Sequence, residues 1–242
     1  QGGEKTGCID DKIRDIISLC ASCHYTSTEL SAKRVKKITS SNNIFNYGCP
    51  AVEFINTIQI EDRLDVKHFH KHFKDDIPIS PDEKYFLLIV HPNTVEYDDI
   101  NMEIILEAVE SFGLKCIVIY PNVDTYNSRI TNAIRVHSKN IIKIKHCPAE
   151  DFVQLMAHTS CIIGNSSAAI RESASFAIPA VNIGKRQQNR ERNNNTIDCE
   201  CLKDNIISAI KKAMSLELSA DNIYHQPGGI KKICSSIMEF VK

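Results

Sequence analysis

The sequence lacks an excess of either charge and any long apolar run. Its 242 residues include 29 basic and 30 acidic side chains, which gives a formal net charge of -1 at pH 7. Nucleic-acid backbones and anionic membranes usually bind proteins with a basic surplus, so we expect neither as a partner. The longest apolar runs, residues 85–90 and 116–120, are far shorter than the roughly 18 residues of a membrane-spanning helix. We therefore expect a soluble protein.

The chain also lacks an initiator methionine, a basic leader and an apolar signal core. Because residues 1–4 resemble neither a signal peptide nor a natural start, we expect a truncated polypeptide. Ten cysteines without a secretory signal are typical of reduced thiols in the cytoplasm. Cys20-x-x-Cys23 and Cys199-x-Cys201 could each be half of a zinc site, but no second pair follows at zinc-ribbon or zinc-finger spacing. We therefore expect no bound metal.

Short β-branched runs alternate with segments of helical periodicity from about residue 80 onward. This alternation is typical of βαβ units that build a parallel sheet. Strands are predicted at residues 85–90, 115–120, 141–145, 161–163 and 180–183. Helices are predicted at residues 101–112, 128–136, 149–157, 168–176, 202–214 and 230–241. The expected fold class is therefore α/β, a Rossmann-like doubly wound parallel sheet.

The first 50 residues form a smaller pattern of their own. Helices are predicted at residues 9–19 and 29–38, and strands at residues 24–27 and 44–47. Because two strands and two helices cannot close a core, we interpret residues 1–50 as the C-terminal remnant of a first Rossmann-like domain. Residues 48–50, Gly-Cys-Pro, interrupt the pattern, and a polar stretch follows at about 61–83. We place a domain boundary near residue 50, which makes residues 51–242 a second and complete nucleotide-binding domain.

Ligand contacts are expected where the strands end, since open α/β sheets bind ligands at the carboxyl ends of their strands. His91 follows the first strand of this domain, Asn122 follows the second and Cys147 follows the third. The fourth strand ends in Gly-Asn-Ser-Ser at residues 164–167 and opens a helix, where N–H groups and hydroxyls could bind a phosphate. Each turn alone could be structural, such as a helix cap. Several on one rim of the sheet favour a convergent site.

Two further features fit a nucleotide. Glu172 follows one to two turns into the predicted helix, where its carboxylate could accept both hydroxyls of a ribose. The loop at residues 185–192 supplies cationic donors suited to a diphosphate, with Arg186 among them. The alternative interpretation of that loop is a solvated run of charge.

A third candidate lies near the start of the chain. Asp10, Asp11 and Arg14 are spaced so that two carboxylates and a guanidinium share one face of a helix. The same spacing is expected if the residues only stabilise that helix, because acidic residues in a first turn favour the helix dipole.

In chain order, the motifs match one known family. Gly-Gly-Glu-x-x-Gly-x-Ile-Asp-Asp-x-x-Arg lies at residues 2–14, Gly-Cys-Pro at 48–50, His-Pro-x-Thr at 91–94, Pro-Asn-x-Asp at 121–124 and Gly-Asn-Ser-Ser-x-x-x-Arg-Glu at 164–172. In order and spacing they resemble the hydrolysing UDP-N-acetylglucosamine 2-epimerases over nearly the whole chain. The resemblance implies a glycosyltransferase-B-like architecture of two Rossmann-like domains, with the active site in the cleft between them.

The resemblance also implies an activity and a set of roles. Family members convert UDP-N-acetylglucosamine and water to N-acetylmannosamine, a sialic-acid precursor, and UDP, by elimination and water addition. A homo-oligomer without a cofactor is expected. The positions that face the sugar are Asp10, Asp11 and Arg14. The positions that bind UDP are His91, Asn122, Cys147, Ser166, Ser167, Glu172 and Arg186.

Three alternatives remain open from the sequence. They are a sister hydrolysing epimerase for a UDP-diacetamido-trideoxy sugar, a UDP-sugar glycosyltransferase of the same fold, and a non-catalytic nucleotide-binding module. The family's first phosphate-contacting loop and its Gly-Asp-Arg segment would lie before Gln1. Gln1 itself falls where some members carry a glutamate and others a glutamine. We therefore expect residues 1–242 alone to bind UDP without substantial epimerase activity.

Overall fold

The N-terminal part of the molecule is a βαβ unit with a helix on either side. The computed structural model describes residue 4 and residues 9–64, 79–93, 100–121, 127–137 and 140–240. Its first elements are α1 (Ile9–Cys20), β1 (His24–Thr26), α2 (Glu29–Thr39), β2 (Ile44–Asn46) and α3 (Pro50–Ile55). Strands β1 and β2 pair in parallel. Helix α3 was not predicted, because Pro50 reads as a break; it occupies the first helical turn, where proline fits.

Helix α1 presents an apolar stripe to the surface. Ile13, Ile16 and Ile17 are 48%, 60% and 60% exposed, on the helix that also carries Asp10 and Asp11. An exposed stripe of this kind is typical of a face that contacts another part of a protein or a partner. The predicted domain boundary near residue 50 stays a prediction.

The larger unit is a six-stranded sheet with helices on both faces. Its strands are β3 (Tyr85–Ile89), β4 (Lys115–Ile119), β5 (Ile141–Ile144), β6 (Cys161–Gly164), β7 (Ala180–Ile183) and β8 (Thr196–Cys199). Its helices are α4 (Met102–Glu110), α5 (Asn127–Val136), α6 (Ala149–Ala157), α7 (Ala168–Arg171) and α8 (Lys203–Met214). The last helix, α9 (Gly229–Phe240), returns to the N-terminal part, where it contacts α3 and where Ser236 accepts a hydrogen bond from Tyr25 of β1. The strands lie in the order β5-β4-β3-β6-β7-β8, and every pairing is parallel.

The core lies in two layers against this sheet. All residues of β3 are buried, as expected for a strand covered on both faces. One layer includes Ile105 of α4 and Ile210 of α8, and the other includes Met156 of α6. The prediction of a doubly wound parallel sheet is confirmed.

Two further elements, besides α3, differ from their predictions. Strand β8 was not predicted, because an edge strand that reads Thr-Ile-Asp-Cys is too polar to stand out from a loop. The helix predicted at residues 168–176 ends as α7 at Arg171 and continues as a 3-10 helix, Ser173–Phe176. The buried Ser173 hydroxyl donates to the Ala169 carbonyl at 2.8 Å, a back-bond that bends helices.

The described residues contain neither a membrane-spanning helix nor a metal-binding cluster. No helix within the described ranges is long and apolar enough to cross a bilayer. Among those residues, no three His, Cys, Asp or Glu side chains are grouped to hold a metal ion. The cysteines that the structure describes are free thiols.

Candidate functional site

The sheet order creates a crevice between the ends of β3 and β6. The chain adds β4 and β5 on one side of β3 and then crosses to place β6 on its other side. Loops after β3 and β6 therefore leave in opposite directions, and ligands of doubly wound proteins bind at such a switch point. His91 and Ser166 both lie just beyond the carboxyl ends of these two strands.

Gly164 allows the two strand ends to approach each other closely. Its φ is +130°, and a Cβ atom built on it would lie 1.9 Å from the Ile89 carbonyl oxygen. Only glycine accommodates both the left-handed backbone and that contact. The residue therefore brings the 164–167 segment against the end of β3.

Asn165 joins the two loops by a two-way hydrogen bond. The His91 N–H donates to its Oδ1 at 2.7 Å, and its Nδ2 donates to the His91 carbonyl at 2.8 Å. Asn165 is fully buried, whereas His91 is partly exposed, so the amide end of both bonds is the end shielded from water. The pair fixes the backbone of His91 relative to that of Ser166.

Two further side chains converge on the same residue. Arg186 Nη1 and Gln187 Nε2 donate to the Asn165 carbonyl at 3.2 and 3.0 Å. Arg186 and Gln187 are buried, so the solvated-run interpretation is wrong for them, whereas it holds for the exposed Lys185 beside them. Arg186 Nε has no hydrogen-bond acceptor among the described residues. A buried guanidinium with a donor to spare suits an anion.

The two serines of the motif differ in their surroundings. Ser166 is buried, and its Oγ accepts from the Ala168 N–H at 3.4 Å. Ser167 is partly exposed and makes no side-chain capping bond to α7. The capped-helix interpretation is therefore wrong for the Ser167 side chain, which leaves its hydroxyl available to a ligand.

Glu172 lies at the end of α7 with one enclosed carboxylate oxygen. Burial raises the pKa of Glu172, while the nearby Arg171 and Arg190 oppose that rise. Its Oε2 has no hydrogen-bond donor within the part of the chain that the structure describes. An enclosed acceptor without a donor is the kind of group that a hydroxyl-bearing ligand would satisfy.

Asparagines hold the segment that carries Glu172. Asn193 donates to the Ile170 carbonyl at 2.8 Å, and Asn222 donates to the Arg171 carbonyl at 2.7 Å. Asn195 donates to the Ser173 hydroxyl at 2.7 Å. The Asn193–Asn195 stretch thus contains two buried residues that position α7 and the 3-10 helix.

The two remaining predicted UDP positions follow β5 and β4. Cys147 is half-buried; burial, together with the Asp151 carboxylate, raises its pKa to about 12. Its thiol is therefore protonated at neutral pH and is a poor nucleophile. Asn122 lies outside the described residues.

The predicted acid–base residues lie on α1. Asp11 is 7% exposed, whereas Asp10 is exposed. Arg14 Nη1 lies 3.6 Å from Asp11 Oδ1 and 3.8 Å from Glu4 Oε2. The Asp11–Arg14 pair that the spacing predicts within α1 is thus present, and Arg14 also links it to the Glu4 carboxylate outside the helix.

The link continues to the loop after β7. Arg190 Nη2 donates to Glu4 Oε2 at 3.1 Å, so Glu4 lies between two guanidinium groups. Arg190 and Glu4 are 186 positions apart. The sequence analysis did not identify Asn165, Gln187 and Arg190 as positioning residues. The feature that could have indicated them is that each is a polar residue in a loop that follows a buried strand.

Comparison with known proteins gives one consistent result. The profile of a family described as UDP-N-acetylglucosamine 2-epimerase matches residues 1–238. A UDP-N,N'-diacetylbacillosamine 2-epimerase (hydrolyzing) from Legionella pneumophila is 32% identical over 219 residues, 88% of this chain and 56% of that protein. A UDP-N-acetylglucosamine 2-epimerase from Neisseria meningitidis is 29% identical over 230 residues, 93% of this chain and 59% of that protein. The chain thus spans a little over half the length of these relatives.

A solved structure agrees at the level of the fold. The Neisseria meningitidis UDP-GlcNAc 2-epimerase bound to UDP-GlcNAc superposes with a TM-score of 0.73 at 16% identity, covering 98% of this chain and 68% of that one. Likeness at this identity shows the fold alone. It confirms the expected glycosyltransferase-B-like α/β fold class.

Proposed function

The chain belongs to the UDP-N-acetylglucosamine 2-epimerase family, and on that premise we propose that it carries the UDP-binding half of a hydrolysing epimerase. The reaction converts UDP-N-acetylglucosamine and water to N-acetylmannosamine and UDP, which supplies sialic-acid synthesis. We assign it to the cytoplasm, because free thiols are typical of a reducing compartment. Assembly into a homo-oligomer stays a prediction.

The observation that carries this proposal is the buried junction around Asn165. It brings the Arg186 guanidinium, the Ser166 hydroxyl and the His91 loop to the switch point of the sheet. UDP leaves as a dianionic or trianionic group, so donors fixed beforehand at its diphosphate stabilise the charge that develops there. The protonated Cys147 contributes through its position at the nucleotide and not as a nucleophile.

The proposed reaction consists of an elimination and an addition of water, and neither step needs a cofactor. A base removes the C2 proton of the sugar while the C1–O bond to UDP breaks, and a glycal forms. Water then adds its oxygen at C1, and a proton is delivered to C2 from the opposite face. Asp10 and Asp11 are the proposed proton-transfer groups, with Arg14 orienting Asp11 at 3.6 Å.

Isotope incorporation tests the activity. The complete natural polypeptide that carries residues 1–242 is incubated with UDP-N-acetylglucosamine alone in deuterated water. We expect free N-acetylmannosamine with deuterium at C2, together with UDP. Turnover that requires an added acceptor, or sugar transfer without deuterium uptake, contradicts the proposal and favours a glycosyltransferase.

A second substrate is favoured by one comparison. The Legionella pneumophila relative, at 32% identity, is named for UDP-N,N'-diacetylbacillosamine. We therefore run the same assay with that nucleotide sugar. The substrate with the higher kcat/KM identifies which of the two hydrolysing reactions the protein performs.

Glu172 gives a prediction about the ribose. Changing Glu172→Gln replaces an acceptor-only carboxylate with an amide and is expected to weaken UDP binding about tenfold, because one charge-assisted hydrogen bond is worth about 1.5 kcal/mol. The same variant should bind UDP and 2'-deoxy-UDP with nearly equal affinity, whereas the unchanged chain prefers UDP. Calorimetry on residues 1–242 measures both ligands. If the variant keeps the full preference for UDP, Glu172 is not the ribose contact.

A further inference from the structure

We propose that Arg190 is a positioning residue that couples UDP binding to the acid–base face of α1, through its ion pair with Glu4. The inference rests on the proposed UDP site. It concerns a residue that the motif comparison leaves without a role.

The coupling begins in the loop after β7. Two consecutive turns contain Arg186 and Arg190. In the first, the Gln188 N–H donates to the Lys185 carbonyl at 2.9 Å, and in the second, the Arg190 N–H donates to the Gln187 carbonyl at 3.2 Å. Gln187 is itself held by the Asn165 carbonyl. An anion that draws Arg186 toward the switch point therefore acts on a short, hydrogen-bonded segment whose far end is Arg190.

The far end of that segment reaches the N-terminal unit twice. Arg190 pairs with Glu4 at 3.1 Å, and the next residue, Glu191, accepts a hydrogen bond from the Thr28 hydroxyl at the start of α2. The Tyr224 hydroxyl donates to the Glu191 carbonyl at 2.8 Å and fixes the backbone between them. The loop thus contacts the start of α2 through Thr28, and through Glu4 it contacts the segment that precedes α1.

The ion pair between Arg190 and Glu4 differs from a surface ion pair, because the Arg190 side chain is enclosed. The Arg190 side chain is only 3% exposed, and its Nε and Nη1 have no acceptor among the residues described. Because the Arg190 guanidinium is buried, removing Glu4 would leave its charge without the carboxylate that it pairs with. Glu4 in turn lies 3.8 Å from Arg14, which lies 3.6 Å from Asp11. Arg190 therefore sets the charge environment of Asp11 from the nucleotide side.

Amide hydrogen exchange of α1, with and without saturating UDP, tests the coupling in residues 1–242. In the unchanged chain, UDP is expected to slow α1 exchange about threefold or more, because the ligand orders the loop that holds Glu4. Arg190→Gln and Glu4→Gln should each abolish that difference at saturating UDP. Glu4→Gln, which leaves the Arg190 charge near Glu172, should change UDP affinity less than about threefold. Arg190→Lys, which keeps a charge near Glu4, should restore part of it.

Arg34→Gln is the matched control. Arg34 lies on α2 and lines the same pocket as Arg190 and Glu191, but among the described residues its side chain bonds only to Asp15 of α1, at 2.9 Å. Loss of the Arg34–Asp15 ion pair should raise the exchange rate of α1 amides equally with and without UDP, as expected for a contact that only stabilises the structure.

The outcomes separate the two proposals. Absence of UDP binding to the unchanged chain overturns the proposed function. UDP binding without any effect on α1, or an effect that persists in Arg190→Gln, overturns the role of Arg190 and leaves the UDP site standing.

Discussion

The Gly164→Ala variant is expected to be destabilised by about 4 kcal/mol or more, the largest stability effect we predict from a single methyl group. The added Cβ atom would lie 1.9 Å from the Ile89 carbonyl oxygen, and the φ of +130° is one that alanine rarely adopts. The obstacle is the backbone at the carboxyl end of the neighbouring strand β3, so no side-chain rotation relieves it. Urea unfolding followed by circular dichroism measures the loss.

Gly113→Ala is the control for that variant. Gly113 also has a positive φ, +71°, but a Cβ atom there would meet nothing within 4 Å. It should lose only about 1 kcal/mol, the cost of the backbone conformation. If the two variants are equally stable, the close contact between β6 and β3 is not the reason for glycine at position 164.

The largest effect on binding is expected for Arg186→Ala, which should lower UDP affinity about 100-fold. Two hydrogen bonds from a buried guanidinium to a diphosphate, each worth about 1.5 kcal/mol, account for that factor. Arg186→Lys should recover part of the affinity, since it keeps the charge but loses the paired donors. Calorimetry on residues 1–242 measures all three chains.

Lys185→Ala is the neighbouring control. Lys185 is exposed, so its removal should change UDP affinity less than about twofold. The unfolding midpoint of each variant shows whether the fold is retained. Equal UDP affinities in a folded Arg186→Ala variant and the unchanged chain would remove Arg186 from the site.

The fold was largely predictable because strands buried on both faces are continuous apolar runs in the sequence. The apolar run that became β3 is fully buried, and sequence order placed it before β4. Strand β8 was missed because its position at the sheet edge needs no apolar character on both faces. Pro50 was misread because proline both ends helices and begins them.

Residues of the candidate site could be predicted only where a rule about local sequence applies to them. The rule that ligands bind at strand ends pointed to His91 and Ser166, but nothing local says that Asn165 hydrogen bonds to His91, 74 positions away. Composition could not separate the buried Arg186 from the exposed Lys185 beside it. The spacing of Asp11 and Arg14 predicted their pairing, yet the Glu4–Arg190 contact is a property of the tertiary structure alone.

The Asn165–His91 pair also dictates when the site can exist during folding. Its two residues are separated by 74 positions, and β3 must pair in parallel with β6 before the amide reaches its partners. Contacts between such distant segments form late, because the loop entropy must be met first. A partly folded chain that lacks β6 therefore lacks the proposed UDP site, and we expect UDP to bind only chains that have completed the central sheet.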